Sequence, residues 1–148
     1  MKFKLIIDQN HEEEIVATVK EKTSLIDYIQ TLIEEDNDEL IGYLDNQIIK
    51  LDINEVECIY TQDNKTYCVY GDGKNYQIKK RLYEVEKILP PTFVRINKSG
   101  IANSKKIRRY ITTIAGSVNV EFSSGYTDYV SRRCFAEIKR RYDLWTNI

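Results

Sequence analysis

A single histidine, His11, stands in this sequence of 148 residues, inside a glutamate-rich stretch near its start. That scarcity excludes a multi-histidine metal site, and the glutamate-rich setting of His11 argues against a histidine-based nucleophilic triad. The three cysteines, Cys58, Cys68 and Cys134, form no CxxC pair, and their odd number does not suit the disulfide framework of a secreted protein. Buried, reduced thiols are expected, with a redox switch as the sharper alternative. Only 2 prolines occur, which argues against long linkers. No apolar run approaches the roughly 20 residues that a membrane helix needs, and the N-terminus lacks the apolar core and small-residue cleavage site of a secretory signal. A cytoplasmic protein without a membrane partner is expected. Phosphate-binding glycine motifs are missing too: there is no GxGxxG and no GxxxxGK[ST], and Gly71-Asp72-Gly73 falls between strands, where it reads as a hairpin turn. Glu12-Glu13-Glu14 reads as a solvated acidic turn rather than a cation site. No small-molecule cofactor is implied, and no set of acid, base and nucleophile supports an enzyme.

What the sequence does hold is an uneven distribution of charge. Hydrophobic residues make up 42% and charged residues 30%, as in an ordinary globular chain of one or two small domains. The net charge of −1 conceals a division: residues 1–57 carry 5 basic and 15 acidic groups, residues 58–148 carry 17 and 8. Either the two parts neutralise each other or the basic part faces a polyanion. The basic tracts Lys79-Lys80-Arg81, Lys105-Lys106 with Arg108-Arg109, Arg132-Arg133 and Lys139-Arg140-Arg141 recur at separate points, so a fold that gathers three of them makes a phosphate-binding face. Tyrosines interleave with these tracts, a mixture suited to nucleic acid, although in a β-rich chain most tyrosines pack.

Hydrophobic periodicity places the elements. Phe3, Leu5 and Ile7 alternate, and Ile15 to Val19 is rich in β-branched residues, so both segments read as strands that pair. Leu25, Ile26, Ile29, Leu32 and Ile33 recur at helical spacing behind a cap formed by Ser24 and Asp27, predicting a helix over about 25–35 that the acidic stretch Glu34 to Glu39 ends. Leu40 to Leu44 and Gln47 to Leu51 flank Asp45-Asn46 as a hairpin. A meander follows in 57–61, 66–70 and 75–79, then a short helix over 82–89 that stops at Pro90-Pro91. Further strands are expected over 93–96, 109–114, 118–122 and 127–130. A final amphipathic helix over about 133–144 buries Phe135, Ile138 and Tyr142. The fold class is α+β, predominantly antiparallel β, with a β-β-α extension at the N-terminus and a helix at the C-terminus.

The run Leu82-Tyr83-Glu84-Val85-Glu86-Lys87-Ile88-Leu89-Pro90, then Phe93-Val94-Arg95-Ile96-Asn97-Lys98-Ser99 and Asn103, and finally Phe122-Ser123-Ser124-Gly125 through Val130-Ser131-Arg132-Arg133, resembles the LytTR family of bacterial DNA-binding domains. The likeness runs from residue 55 to about 144, and it is the order and spacing of the motifs that make it specific. It departs at Gly100, where relatives usually carry a larger side chain, and at Ala102, where valine is more usual.

The resemblance implies small antiparallel sheets whose loops and strand ends enter successive major grooves of double-stranded DNA. It places base contacts at Lys65, at Asn97 or Lys98, and at Arg133. Lysine and arginine can donate to guanine O6 and N7, and asparagine can pair with adenine N6 and N7. Each has a plainer alternative: Lys65 as a polar hairpin tip, Arg133 as partner of a carboxylate or phosphate. Ser99, Asn103, Lys105, Lys106, Ser131 and Arg132 are candidate phosphate anchors, and Arg95 is expected to hold phosphate or an internal carboxylate. Many relatives carry a phosphorylated receiver domain, which the preceding 50-odd residues are too short to form. Residues 1–50 are therefore expected to be an acidic extension, for packing or dimerisation, on a DNA-binding domain over 51–148.

The expectation is a stand-alone transcriptional regulator that binds duplex DNA as a homodimer. The alternative is a module without DNA that docks an acidic protein or RNA through its basic face.

Overall fold

The computed structural model describes residues 1–34 and 39–142. Within them lie three α-helices, α1 (Ser24–Glu34), α2 (Leu82–Ile88) and α3 (Arg132–Tyr142), and ten strands in two antiparallel sheets. The larger sheet contains β1 (Ile41–Leu44), β2 (Gln47–Lys50), β3 (Val56–Gln62), β4 (Lys65–Tyr70), β5 (Asn75–Ile78), β6 (Phe93–Asn97) and β7 (Gly100–Asn103), in the spatial order β2-β1-β5-β4-β3-β7-β6. The smaller is a meander of β8 (Ile107–Thr112), β9 (Val118–Phe122) and β10 (Thr127–Val130). The α+β class with predominantly antiparallel strands is what the sequence implied.

Alternation along the strands of the large sheet divides its side chains between two cores. Ile59, Cys68, Ile101 and Phe93 face one side, where Leu82, Val85 and Leu89 of α2 cover them. Their neighbours Cys58, Val69, Ala102 and Val94 face the other, against Val118, Val120 and Phe122 of β9 and Ile138 of α3. Pro90-Pro91 end α2 as expected, and the helix is tied at its start by the Glu84 carboxylate, which accepts from the Arg81 N–H (3.3 Å).

The hairpin β1–β2 forms at the expected turn, with Asp45 at φ 51°. Although it lies within the acidic first 50 residues, it is continuous with the large sheet: Tyr43 pairs with Gln77 of β5, and Leu40 and Leu51 at its base are buried. Asp63 and Asn64, between β3 and β4, both have positive φ (52° and 63°), the geometry of the tight turn whose twist matches its flanking strands. Gly71-Asp72-Gly73 forms the turn that its place between strands implies, with Gly73 at φ 80°.

Three expectations are corrected. Residues 1–20 contain no strand: Phe3, Leu5 and Ile7 are 89%, 70% and 86% exposed, and no backbone ladder joins them to Ile15–Val19. Helix α1 is capped by Thr23 rather than Ser24, since Thr23 Oγ1 accepts from the Ile26 N–H (3.4 Å) and its carbonyl from Asp27 (3.1 Å). Strand β7, the link between β3 and β6, was not anticipated. The side chain of Tyr142 and the expected helix end at 144 lie outside the described residues, as does most of the acidic stretch 34–39.

Candidate nucleic-acid interface

Two backbone hydrogen bonds bring distant parts of the chain to one end of the large sheet. The Thr61 N–H donates to the Ser99 carbonyl (2.9 Å), fastening the β3–β4 hairpin to the β6–β7 turn. The Ser131 N–H donates to the Ile96 carbonyl (2.8 Å), fastening the start of α3 to the end of β6. Lys65, Lys98 and Arg133 therefore lie at the same end, on a hairpin, a turn and a helix start. All three are exposed, and none makes an ion pair among the described residues. Lys98 and Arg133 line one groove, together with Tyr129. Ser131 is half-buried, and its hydroxyl accepts from the Cys134 N–H (3.2 Å) as the cap of α3.

Other residues singled out from the sequence are committed to the protein's own structure. Asn97 is only 2% exposed, and its amide donates to the Tyr129 carbonyl (2.8 Å) and to Asp128 Oδ1 (3.4 Å) while accepting from the Ser99 N–H (2.8 Å). Of the pair Asn97 and Lys98, only Lys98 has a side chain available to a ligand. Asn103 is also buried; it donates to the Val56 carbonyl (2.8 Å) and caps the short 3-10 turn of residues 104–106 by accepting from the Lys105 N–H (3.1 Å). Arg95 holds an internal carboxylate, Glu86 (2.6 Å), and also reaches the carbonyls of Lys98 (2.7 Å) and Asn97 (3.4 Å). It thereby braces the turn that presents Lys98. The backbone of Ser99 is used on both sides, by Asn97 and by Thr61.

Lys105 and Lys106 stand apart from this group. They follow Asn103, which pairs with Phe93 at the far end of β7, whereas Lys98 precedes Gly100 at the near end. The four residues of β7 separate them by about 13 Å, at ~3.3 Å per residue. Arg132 is exposed and shares a smaller groove with Gly116 and Ser117 at the β8–β9 tip. Arg109 pairs with Glu121 (2.9 Å) within the smaller sheet.

Two features of the site carried little sequence signal. Glu57 is buried, and its carboxylate accepts from the Ser124 N–H (3.0 Å) and hydroxyl, pinning the β9–β10 turn to β3. Its one visible sign is an acidic residue within the apolar run of residues 56–60. Behind Asn97 sits Asp128, whose carboxyl burial pushes above its usual range, although it accepts from the Tyr129 N–H (2.8 Å) and from Tyr126 (3.4 Å). Gly100 fits here for a steric reason: a Cβ would stand 3.2 Å from Ile96 Cγ1 and 3.4 Å from both Asn97 Oδ1 and Asp128 Oδ2. Most tyrosines pack. Tyr67, Tyr60 and Tyr126 stack in series with ring centroids 5.5 and 5.8 Å apart, joining the two sheets.

Among the described residues there is no group of three or more His, Cys, Asp or Glu side chains that could hold a metal ion, and no helix is long and apolar enough to cross a membrane. The model of the LytTr DNA-binding domain matches residues 46–143. Over 149 aligned residues the chain is 30% identical to an uncharacterized HTH-type transcriptional regulator of Staphylococcus aureus strain MRSA252, and 31% identical to one of the bovine strain RF122. Each alignment covers 97% of this chain and 99% of the relative. A solved LytTr DNA-binding domain of a putative methyl-accepting/DNA response regulator from Bacillus cereus shares the fold, with a TM-score of 0.63 at 20% identity over 69% of this chain and 94% of that one. A helix-turn-helix joins its helices by a turn of three or four residues; in the described residues here, α1, α2 and α3 are separated by strands. The chain belongs to the LytTR family of DNA-binding domains, a non-enzymatic family that reads here as a sheet-based fold.

Proposed function

We propose that this chain is a transcriptional regulator that binds double-stranded DNA sequence-specifically, as two copies, in the cytoplasm. In this reading residues 51–148 do the DNA binding, with Lys65, Lys98 and Arg133 entering the major groove. The observation that carries it is the convergence of these three exposed cations at one sheet end, each without an ion pair among the described residues. Each can donate to guanine O6 and N7, and their supports, the Arg95 brace and the Ser131 cap, limit the entropy lost on binding. Arg132, Lys105, Lys106 and Ser99 contact phosphates on either side, Ser131, Asn97 and Arg95 position the readers, and Asn103 holds the turn that carries Lys105 and Lys106.

Selection from random duplex DNA, followed by titration of the recovered site, tests the reading. A defined motif with two half-sites is expected, with affinity falling about a thousandfold between 50 and 200 mM salt if roughly six phosphates are contacted. Failure to enrich any motif, together with no binding to random duplex at low salt, would leave the basic face to an acidic protein or RNA.

A further inference from the structure

We infer that residues 3–19 and the outer face of α1 form an interface between two copies of this chain. The inference deepens the reading of a regulator that acts as two copies, but it does not require DNA. The chain turns at Asp8 to His11, where the His11 N–H donates to the Asp8 carbonyl (3.4 Å) and the Asn10 N–H to the Asp8 carboxylate (3.0 Å). The two arms leaving this turn alternate or cluster apolar residues, yet Phe3, Leu5, Ile7, Ile15 and Val16 are all exposed. Helix α1 packs beside α2, with Ile26, Tyr28 and Ile29 half-buried, but leaves Leu32 and Ile33 exposed.

Three arguments identify a second copy as the occupant. Together these side chains offer on the order of 1000 Å² of apolar surface per copy, against ~800 Å² per partner in a standard interface. The two arms form no ladder with each other within one copy, so their apolar side chains stay in water unless a second copy covers them. Charge is self-complementary along the arms: Lys2 and Lys4 flank one side of the turn, Glu12, Glu13 and Glu14 the other. A partner related by twofold symmetry sets lysines of one copy against glutamates of the other, as a self-matching contact requires. A foreign partner of one charge sign would meet repulsion from half of the patch.

Sedimentation equilibrium of the full chain without DNA, from 1 to 100 μM, tests the inference. A dimer mass is expected for the wild type, and at least a tenfold weaker association for the double variant Leu5→Lys, Ile15→Lys. Because both residues are exposed within one copy, circular dichroism and the urea midpoint of the variant should match the wild type diluted below its dimer dissociation constant. Ile114→Lys, on the exposed β8–β9 tip, should leave the dimer intact. Amide exchange over residues 2–19 should slow as concentration rises. A wild-type monomer throughout, a variant that still dimerises, or protection independent of concentration would each overturn the inference. Loss of DNA binding with the dimer intact would overturn only the DNA reading.

Discussion

The Ser131 N–H donates to the Ile96 carbonyl across 2.8 Å, so the helix that carries Arg133 is hung from the strand that leads into Lys98. Two motifs more than 30 residues apart in sequence thus become one surface. The geometry makes the relative position of the two cations a property of the backbone rather than of flexible loops, which is what a site that discriminates bases requires.

Adjacent residues Asn97 and Lys98 should behave in opposite ways. Replacing Asn97 by Ala leaves the Tyr129 carbonyl and the Ser99 N–H without their partner and should cost about 2–4 kcal/mol of folding stability in urea titrations. Lys98→Ala should leave the urea midpoint unchanged and weaken DNA binding. An Asn97→Ala protein of wild-type stability that loses preference at one base would reverse the assignment.

Glu57 ties the two sheets together through Ser124. Glu57→Ala should destabilise the fold by about 1–3 kcal/mol, because the Ser124 N–H is left without an acceptor. The thermal midpoint is the readout, and an unchanged midpoint would show that the link carries no energy.

Asp128 gives the protein a pH signature. Burial raises the pKa of its carboxyl in the folded state above the usual 3.8, so the protonated form is favoured by folding. Stability linked to this group is full below the unfolded value and is lost as pH rises through the folded one. The wild type minus Asp128→Asn difference in unfolding free energy should therefore fall as pH climbs out of the acid range and flatten near neutrality. A difference that grows with pH would contradict the assignment.

The thiols should separate into two classes. Burial pushes Cys68 up to about 12 and Cys58 well above the ordinary range, whereas Cys134 is half-exposed on the first turn of α3. With a thiol reagent at pH 8, Cys134 alone should react in the folded protein and all three cysteines in denaturant. Rapid labelling of Cys58 or Cys68 in the native state would mean that the core opens readily.

Local signals made much of this fold legible. Asp45-Asn46 and Asp63-Asn64 marked hairpins that form where turn chemistry requires them, and Pro90-Pro91 stopped α2. Strand β7 carries little signal because it is only four residues long and begins at a glycine; it is held between its neighbour β6 and β3, whose partner residues lie 40 to 44 positions earlier. The apolar alternation around Phe3 and Ile15 predicts a strand pair, but alternation reports surface that is suited to burial, and the structure leaves that surface uncovered. At the candidate site, motif order singled out Lys65, Lys98 and Arg133, which the fold brings to one end of the large sheet. It could not separate Asn97 from Lys98, since which of two neighbours faces inward depends on Tyr129 and Asp128, brought there by the second sheet. Nor did it foresee that Lys105 and Lys106 would stand at the opposite end of β7 from Lys98.

Competition titrations of wild type and Arg133→Ala, on the selected site and on a scrambled duplex of equal length and salt, bear most directly on base reading by the Lys65, Lys98 and Arg133 surface. The variant should lose roughly 5- to 150-fold on the selected site, about 1–3 kcal/mol, relax preference at one base pair and change little on the scrambled duplex. Equal losses on both duplexes would show that Arg133 holds phosphate, and would contradict base reading from this end of the sheet.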